Sequence, residues 1–301
     1  MILCVGTSPA VARVMTFERL IPDTVNRARE VYVSAAGKAI NAARVARQLG
    51  ADVICSGILG GETGQFIQQE LVHLRIESRF VISNSPTRVC VTLLDRQTRQ
   101  TTELVQEAPP AEPKDRQQLL QILQTLLDRV SIVICSGTIA EGLGDDLYAE
   151  IVTLFHTRPV IVDAKGPPLK QAASRGAIIK CNRQEIVQTY DSNPDSAVRQ
   201  SLQQGARAVI ISDGPRPTVI ATPEARWKIK SPPIDVVSPI GSGDALAGGL
   251  AVGLERGWSV PQAVRLGVAC AASNAMQIRP GEINPSDVDQ ILPRLHICSI
   301  E

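Results

Sequence analysis

The chain has 301 residues, a formal net charge of +1, 44% hydrophobic residues and 20% charged ones. That charge argues against a general nucleic-acid binder or a polybasic membrane patch, and 3% aromatics leave few rings for stacking bases. Seven scattered cysteines, with no C-x-x-C pair, read as reduced core thiols; with no apolar run of ~18 residues and no signal-peptide pattern, the expected location is cytoplasmic.

Short apolar runs alternate with helix-period segments along the chain. Strands are expected at 2–6, 53–56, 132–136, 160–163, 177–180 and 208–212, and helices at 39–49, 63–73, 114–130, 147–156, 169–174 and 197–204. Strands separated by helix-length crossovers predict a three-layer α/β/α fold with a mainly parallel central sheet. Sites in such sheets lie beyond the C-terminal ends of the strands, where Asp163, Asn182, Ser212 and Asp213 fall.

Two stretches break the rhythm. Val14–Phe17 and Val31–Val33 lean toward β, and Thr87–Leu94 with Thr101–Val105 reads as a hairpin around Asp95-Arg96-Gln97. They predict a small β-sheet lid over the strand ends, of the kind that keeps water from a reacting centre, with edge strands of the main sheet as the alternative. The expected organisation is a core of residues 1–11, 36–85 and 111–301, with a lid of 12–35 and 86–110.

The most informative stretch is Asp235-Val-Val-Ser-Pro-Ile-Gly241-Ser242-Gly243-Asp244-Ala-Leu-Ala-Gly-Gly-Leu. A strand-compatible run meets a proline, a glycine turn follows, and a small-residue helix begins. Bare backbone at Gly241 and Gly243, with the free N–H groups and positive end of a helix, predicts an anion hole for a phosphoryl group. Asp244, in the first turn, can take a proton from an attacking hydroxyl, and the helix end should favour its ionised form. The plainer reading is a glycine turn with an Asp cap. Gly248, Gly249 and Gly253 interrupt an apolar helix at about 1 kcal/mol each, which points to close approach by a ligand or by another helix.

Three further groups carry candidate chemistry. Ala36-Gly37-Lys38-Ala39-Ile40-Asn41 starts a helix on a small-residue turn; it could meet a sugar, with Asn41 on its hydroxyls, or simply leave Lys38 in solvent. Lys180-Cys181-Asn182-Arg-Gln-Glu185 has the spacing of a capping box, and the same oxygens could serve a hydrated Mg²⁺. Arg27 and Arg88, one in each lid segment, suit a substrate that already bears a phosphate.

In this order, A-G-K-A-I-N-A-A-R, K-C-N-x-x-E and D-V-V-x-P-x-G-S-G-D-A resemble the ribokinase-like, or PfkB, sugar kinases over nearly the whole chain. The similarity is greatest to the branch of 1-phosphofructokinase and tagatose-6-phosphate kinase. The resemblance implies ATP- and Mg²⁺-dependent phosphorylation of a sugar hydroxyl, with Asp244 as base and Gly241, Ser242 and Gly243 as anion hole. It puts Asn182 and Glu185 at Mg²⁺, and Lys180, Ser212, Asp213, Gly214 and Asn274 at the nucleotide. Gly37, Lys38 and Asn41 fall at the sugar, and Arg27 and Arg88 at its phosphate. It further implies a homodimer through the lid.

This chain departs from the family mainly on the substrate side. Ala12 stands where the branch commonly has an Asp, Ala36 and Ala39 where it has Gly, and Cys181 where it has Pro. An altered or relaxed sugar choice is expected. A kinase of an unphosphorylated sugar or nucleoside, and a non-catalytic ligand-binding protein on the same scaffold, are the alternatives.

Overall fold

The computed structural model describes residues 1–300. The chain opens with β1 (Ile2–Gly6), β2 (Ala10–Phe17), β3 (Glu30–Ala36), α1 (Lys38–Gln48), β4 (Val53–Gly60), α2 (Gly61–His73), β5 (Glu77–Ser83), β6 (Arg88–Asp95) and β7 (Thr101–Val105). It continues through α3 (Pro113–Gln124), β8 (Ile132–Ser136), α4 (Leu147–Leu154), β9 (Val160–Asp163), α5 (Pro167–Ala173), β10 (Ile178–Asn182), α6 (Arg183–Tyr190) and α7 (Pro194–Gln203). It closes with β11 (Ala208–Asp213), β12 (Arg216–Ala221), β13 (Arg226–Ile229), α8 (Ser242–Glu255), α9 (Val260–Ala275), α10 (Pro285–Ile291) and β14 (Ile297–Ile300).

Ten strands form one sheet in the order β14-β13-β12-β11-β10-β9-β8-β1-β4-β5. From β11 to β5 every pairing is parallel, while β12, β13 and β14 run antiparallel at the far edge. The period of two in a strand sorts its side chains between two cores. Ile2, Cys4, Ile161 and Ile178 pack with residues of α1, α8 and α9 on one face. Leu3, Val5, Val162 and Ile179 pack with residues of α3, α4 and α5 on the other.

The second sheet has the order β3-β2-β6-β7. Its β2–β6 pairing is parallel and its outer pairings antiparallel. It is tied to the core where Arg88 Nη2 donates to Ser8 O at 2.9 Å, near the C-terminal end of β1.

Some elements differ from the sequence expectation. Asp235-Val-Val is not a strand: both valines are exposed, and the segment is irregular up to Gly241. The helix expected over 114–130 ends at Gln124, because Leu126 and Arg129 make short i→i−3 turns. The edge strands β5 and β14, and β12 and β13 beside β14, mix polar and apolar residues and give no clear periodicity.

The helix glycines serve helix packing. A Cβ on Gly248 would lie 2.6 Å from Ala42 O of α1, and one on Gly249 would lie 2.7 Å from Gly267 Cα of α9. Gly249→Ala should therefore lose about 1–2 kcal/mol net, since a clash with backbone falls at the upper end of the about 1–3 kcal/mol overpacking range and the gain in helix propensity is only about 1 kcal/mol. Urea unfolding measures it, and an unchanged midpoint would contradict the close packing of α8 on α9.

Candidate active site

Asp163 ends β9 and is fully buried. Lys180, two residues after Ile178, lies on the same face of β10 as Ile161 and Asp163 do of β9, since Ile178 pairs with Ile161. Lys180 Nζ lies 2.6 Å from Asp163 Oδ2. Lys38, the first residue of α1, reaches Asp163 Oδ1 at 3.1 Å and Glu185 Oε1 at 3.4 Å. Carboxylates and ammonium groups thus alternate from Glu185 through Lys38 and Asp163 to Lys180. Burial alone would raise the Asp163 pKa, but the two lysines outweigh it and hold it below the usual carboxylate range. Burial would lower Lys38, but Asp163, Glu185 and Asp244 outweigh it and push it well up.

The turn before α8 lies against this chain of charges. Gly241 caps the helix at φ 84°, a left-handed conformation that favours glycine. Ser242 N donates to Pro239 O at 3.3 Å, which leaves the next first-turn N–H groups without an intrahelical acceptor. Lys180 Nζ sits 2.8 Å from where a Cβ on Gly243 would lie. Backbone N–H groups, the helix dipole and an ammonium therefore converge on one place suited to an anion.

Asp244 is buried beside them, and its Oδ2 accepts from Asn41 Nδ2 at 2.7 Å. Burial raises its pKa from 3.8 to about 6, with Lys38 and Lys180 pulling it down and Asp163 pushing it up. The helix end was expected to favour ionisation and does not prevail. A helix terminus is worth about 0.3–1 kcal/mol, and the loss of water outweighs it. The carboxylate remains mostly ionised at neutral pH, yet is a stronger base than an ordinary Asp.

Beside Lys38, a cavity is lined by Gly37, Lys38, Ser56, Arg88, Ser136 and Thr138, among others, and by no carboxylate. Gly37 has φ 112°, and a Cβ there would lie 2.9 Å from Pro9 Cα. Arg88 donates to Ser8 O and Gln106 O, while its buried Nε has no partner.

Comparison with known proteins agrees with this geometry. Residues 1–286 match the model of the pfkB family carbohydrate kinases. The chain belongs to that family. The tagatose-6-phosphate kinase of Staphylococcus epidermidis is 30% identical over the full length of both chains. The Escherichia coli phosphofructokinase-2 structure with fructose-6-phosphate shares the fold at TM-score 0.85 and 20% identity, covering 97% of this chain and 98% of that one. Thermotoga maritima ribokinase matches at TM-score 0.80 and 19% identity, over 97% of this chain and 99% of that one. This pfkB kinase is thus a phosphotransferase acting on a hydroxyl, and among its described residues no helix is long and apolar enough to cross a membrane.

Several residues of this pfkB kinase are placed differently from the sequence reading. Asn41 holds Asp244 rather than standing open to sugar hydroxyls; its buried Oδ1 has no partner. Asn274 was assigned to the nucleotide groove, but its carboxamide is used inside the protein. Its Nδ2 donates to Ile240 O at 2.9 Å, and its Oδ1 accepts from Gly281 N at 2.7 Å. Ser212 and Asp213 do end β11, with Gly214 in the turn that follows, but Arg183 and Arg216 engage the Asp213 carboxylate. Arg27 is exposed and lines neither that cavity nor a second one at Leu59, Thr87 and Ala111, both of which Arg88 lines, so it does not converge with Arg88 within one chain.

Asn182 and Glu185 form the capping box that their spacing predicted, each side chain accepting from the other's backbone N–H at 2.8 Å. Asp163 was noted only as a strand end; sharing a face with Lys180, each near the end of its own strand, was the signal that could have found it.

The elevated Asp244 pKa has a consequence for stability. Folding raises the affinity of this group for a proton, so its contribution falls as pH rises from its ordinary value of 3.8 toward about 6. Removing the charge should stabilise the fold above that window and change little below it. Asp244→Asn is expected to gain about 2–3 kcal/mol at pH 7.5 and little near pH 4, measured by urea unfolding at both. Equal stability of the two proteins at pH 7.5 would refute the strained carboxylate.

Proposed function

We propose that this kinase transfers the γ-phosphoryl group of MgATP to a hydroxyl of a sugar phosphate, of the 1-phosphofructokinase or tagatose-6-phosphate kinase kind. The observation that carries the reading is Asp244, a buried base of raised pKa beside the bare turn at Gly241 and Gly243 and the ammonium of Lys180. Asp244 takes the proton of the acceptor hydroxyl as the new O–P bond forms and the bond to the β-phosphate bridging oxygen breaks. The bridging oxygen leaves on ADP with the electron pair. Phosphoryl transfer depends mainly on positioning and charge stabilisation, which the turn and Lys180 supply.

Among the described residues, no group of three or more acidic, His or Cys side chains could hold a metal by itself. The oxygens of Asn182 and Glu185 are already engaged with each other's backbone. Such a donor set fits a hydrated Mg²⁺ that arrives on ATP and keeps its waters. When bound, the ion neutralises phosphate charge. Glu185 is the residue beside which its hydration shell would rest, and Lys38 holds that carboxylate in place.

A sugar phosphate is favoured over a neutral sugar because Lys38 and Arg88 line this cavity and no carboxylate does, so it suits the phosphate the substrate already bears, while the reacting hydroxyl would lie outside it, toward Asp244. The relative's name supports the same substrate class. Ala12, where the branch has an acid, is buried between Ser34 and Cys90 in the small sheet. Sugar hydroxyls are therefore read less strictly than the phosphate. We assign residues 12–35 and 86–110 as a lid over this cavity and the remainder as the core. Buried, unpaired thiols at Cys4, Cys55, Cys135, Cys181 and Cys270 fit a reducing cytoplasm.

The test is turnover with MgATP across fructose 1-phosphate, fructose 6-phosphate, tagatose 6-phosphate and the corresponding free sugars. Sugar phosphates should be phosphorylated far faster, Arg88→Ala should raise their KM alone, and Asp244→Asn should lower kcat by about 10²–10⁴-fold. Full turnover by Asp244→Asn would remove the base assignment, and preference for a free sugar would remove the phosphosugar reading.

The lid also supports a homodimer. Cross-strand rows place Val33, Arg13, Val91 and Leu104 on one face, with Val31, Met15 and Leu93 in the next row of that face. Val31, Val33 and Leu104 are 51%, 41% and 54% exposed. The face is mainly apolar, interrupted by Arg13 and Thr102, and an exposed apolar patch of this kind is a marker of association. Val33→Glu with Leu104→Glu should halve the mass seen in sedimentation equilibrium; an unchanged mass would place any interface elsewhere.

A further inference from the structure

Arg44 follows Asn41 by about one turn of α1 and is 5% exposed. Its Nη1 donates to Pro280 O at 2.8 Å. Its Nη2 donates to Ala35 O at 2.6 Å and to Glu70 Oε1 at 3.0 Å. The other oxygen of Glu70 accepts from Ala35 N at 2.6 Å. Arg44 and Glu70 therefore grip both polar groups of Ala35, two residues ahead of Gly37 and the acceptor-side turn.

The second carbonyl leads to the other half of the site. A Cβ on Gly241 would lie 2.8 Å from Gly281 N and from Pro280 Cβ, so the segment at Pro280 and Gly281 abuts the anion-hole turn. Gly281 N donates to Asn274, which in turn donates to Ile240 O and Ser242 Oγ on either side of Gly241. A Cβ on Gly281 would lie 2.7 Å from Asn41 Cα, so the same segment presses on the residue that holds Asp244.

A buried ion pair contributes little net stability compared with apolar side chains of similar volume. An arginine fork does what those side chains cannot, bonding several acceptors in a fixed geometry. Two carbonyls from segments far apart in sequence are set by one planar group.

We propose that Arg44, seated by Glu70, is a positioning residue that holds the acceptor-side turn at Gly37 and Lys38 in register with the anion-hole turn at Gly241, Ser242 and Gly243. It touches neither substrate. It keeps the attacking hydroxyl in line with the phosphoryl group, a relation in which a misplacement of ~1 Å can cost about 100-fold in rate. The inference rests on the kinase reading of the site.

The test compares the full-length parent with Arg44→Lys and with the double variant Arg44→Met, Glu70→Gln, which removes both charges together. Each is assayed with MgATP and the sugar phosphate from the panel above that the parent phosphorylates fastest, well below the thermal midpoint, with folding checked by circular dichroism. The double variant should keep its thermal midpoint within a few degrees and lose about 100-fold in kcat, with each KM within about threefold. Arg44→Lys retains the Glu70 pair but cannot span both carbonyls, and should lose about tenfold in kcat. A folded variant with parental kcat overturns the proposal, and Arg44→Lys decides alone if the double variant does not fold. A parent inactive on every sugar removes the kinase reading and this inference with it; an active parent with unimpaired variants removes this inference alone.

Discussion

The site depends on one buried carboxylate held between two ammonium groups. Asp163 has no exposure, and an unpaired charge there would cost several kcal/mol. Lys180 and Lys38, at 2.6 and 3.1 Å, make its burial tolerable, and in return Asp163 fixes both. One lysine is delivered to the bare turn at Gly243 and the other to the cavity it lines with Gly37 and Arg88. The strands supply this arrangement directly: Asp163 and Lys180 occupy adjacent parallel strands, on the face that packs α8.

The second carboxylate shows the opposite balance. Asp244 has no direct ion pair, so burial dominates and its pKa rises to about 6. That rise from 3.8 corresponds to about 3 kcal/mol, more than a helix terminus returns. The protein thus holds an ionised group at neutral pH against its preference, as expected where activity is kept at the expense of stability. Asn41 donates to this carboxylate and limits the rise. Two acids within one charge cluster are pushed apart in pKa, one into a fixed counter-ion and the other toward the range suited to the base proposed above.

Much of this was legible in the sequence. Central strands such as Ile132–Ser136 and Val160–Asp163 are uniformly buried, so a short apolar run between helix-period segments marked them. The glycine turn before Asp244 was readable because Gly241 and Gly243 leave backbone bare in a way no other residue does. What was not legible depended on contacts across long sequence separations. Nothing local shows that Asn274 spends its amide on Ile240 and Gly281, or that Asn41 turns toward a residue 203 positions away. The Asp244 pKa was misjudged because the helix end is visible in a sequence and the depth of burial is not. The valines after Asp235 have strand-like chemistry, yet they fall in the irregular segment between β13 and α8, where the sheet has no place for them.

Among the strands of the large sheet, β1 waits for its second neighbour across the longest stretch of sequence. β1 lies in the middle of the large sheet between β4 and β8, and Ile2 pairs with Val53 on one side and Ile132 on the other. All five of its residues are buried. During synthesis this apolar segment waits, unpaired on one side, until β8 has also left the ribosome. Its early exposure makes the nascent chain a natural client for chaperones, and sets a kinetic hazard that the finished molecule no longer displays.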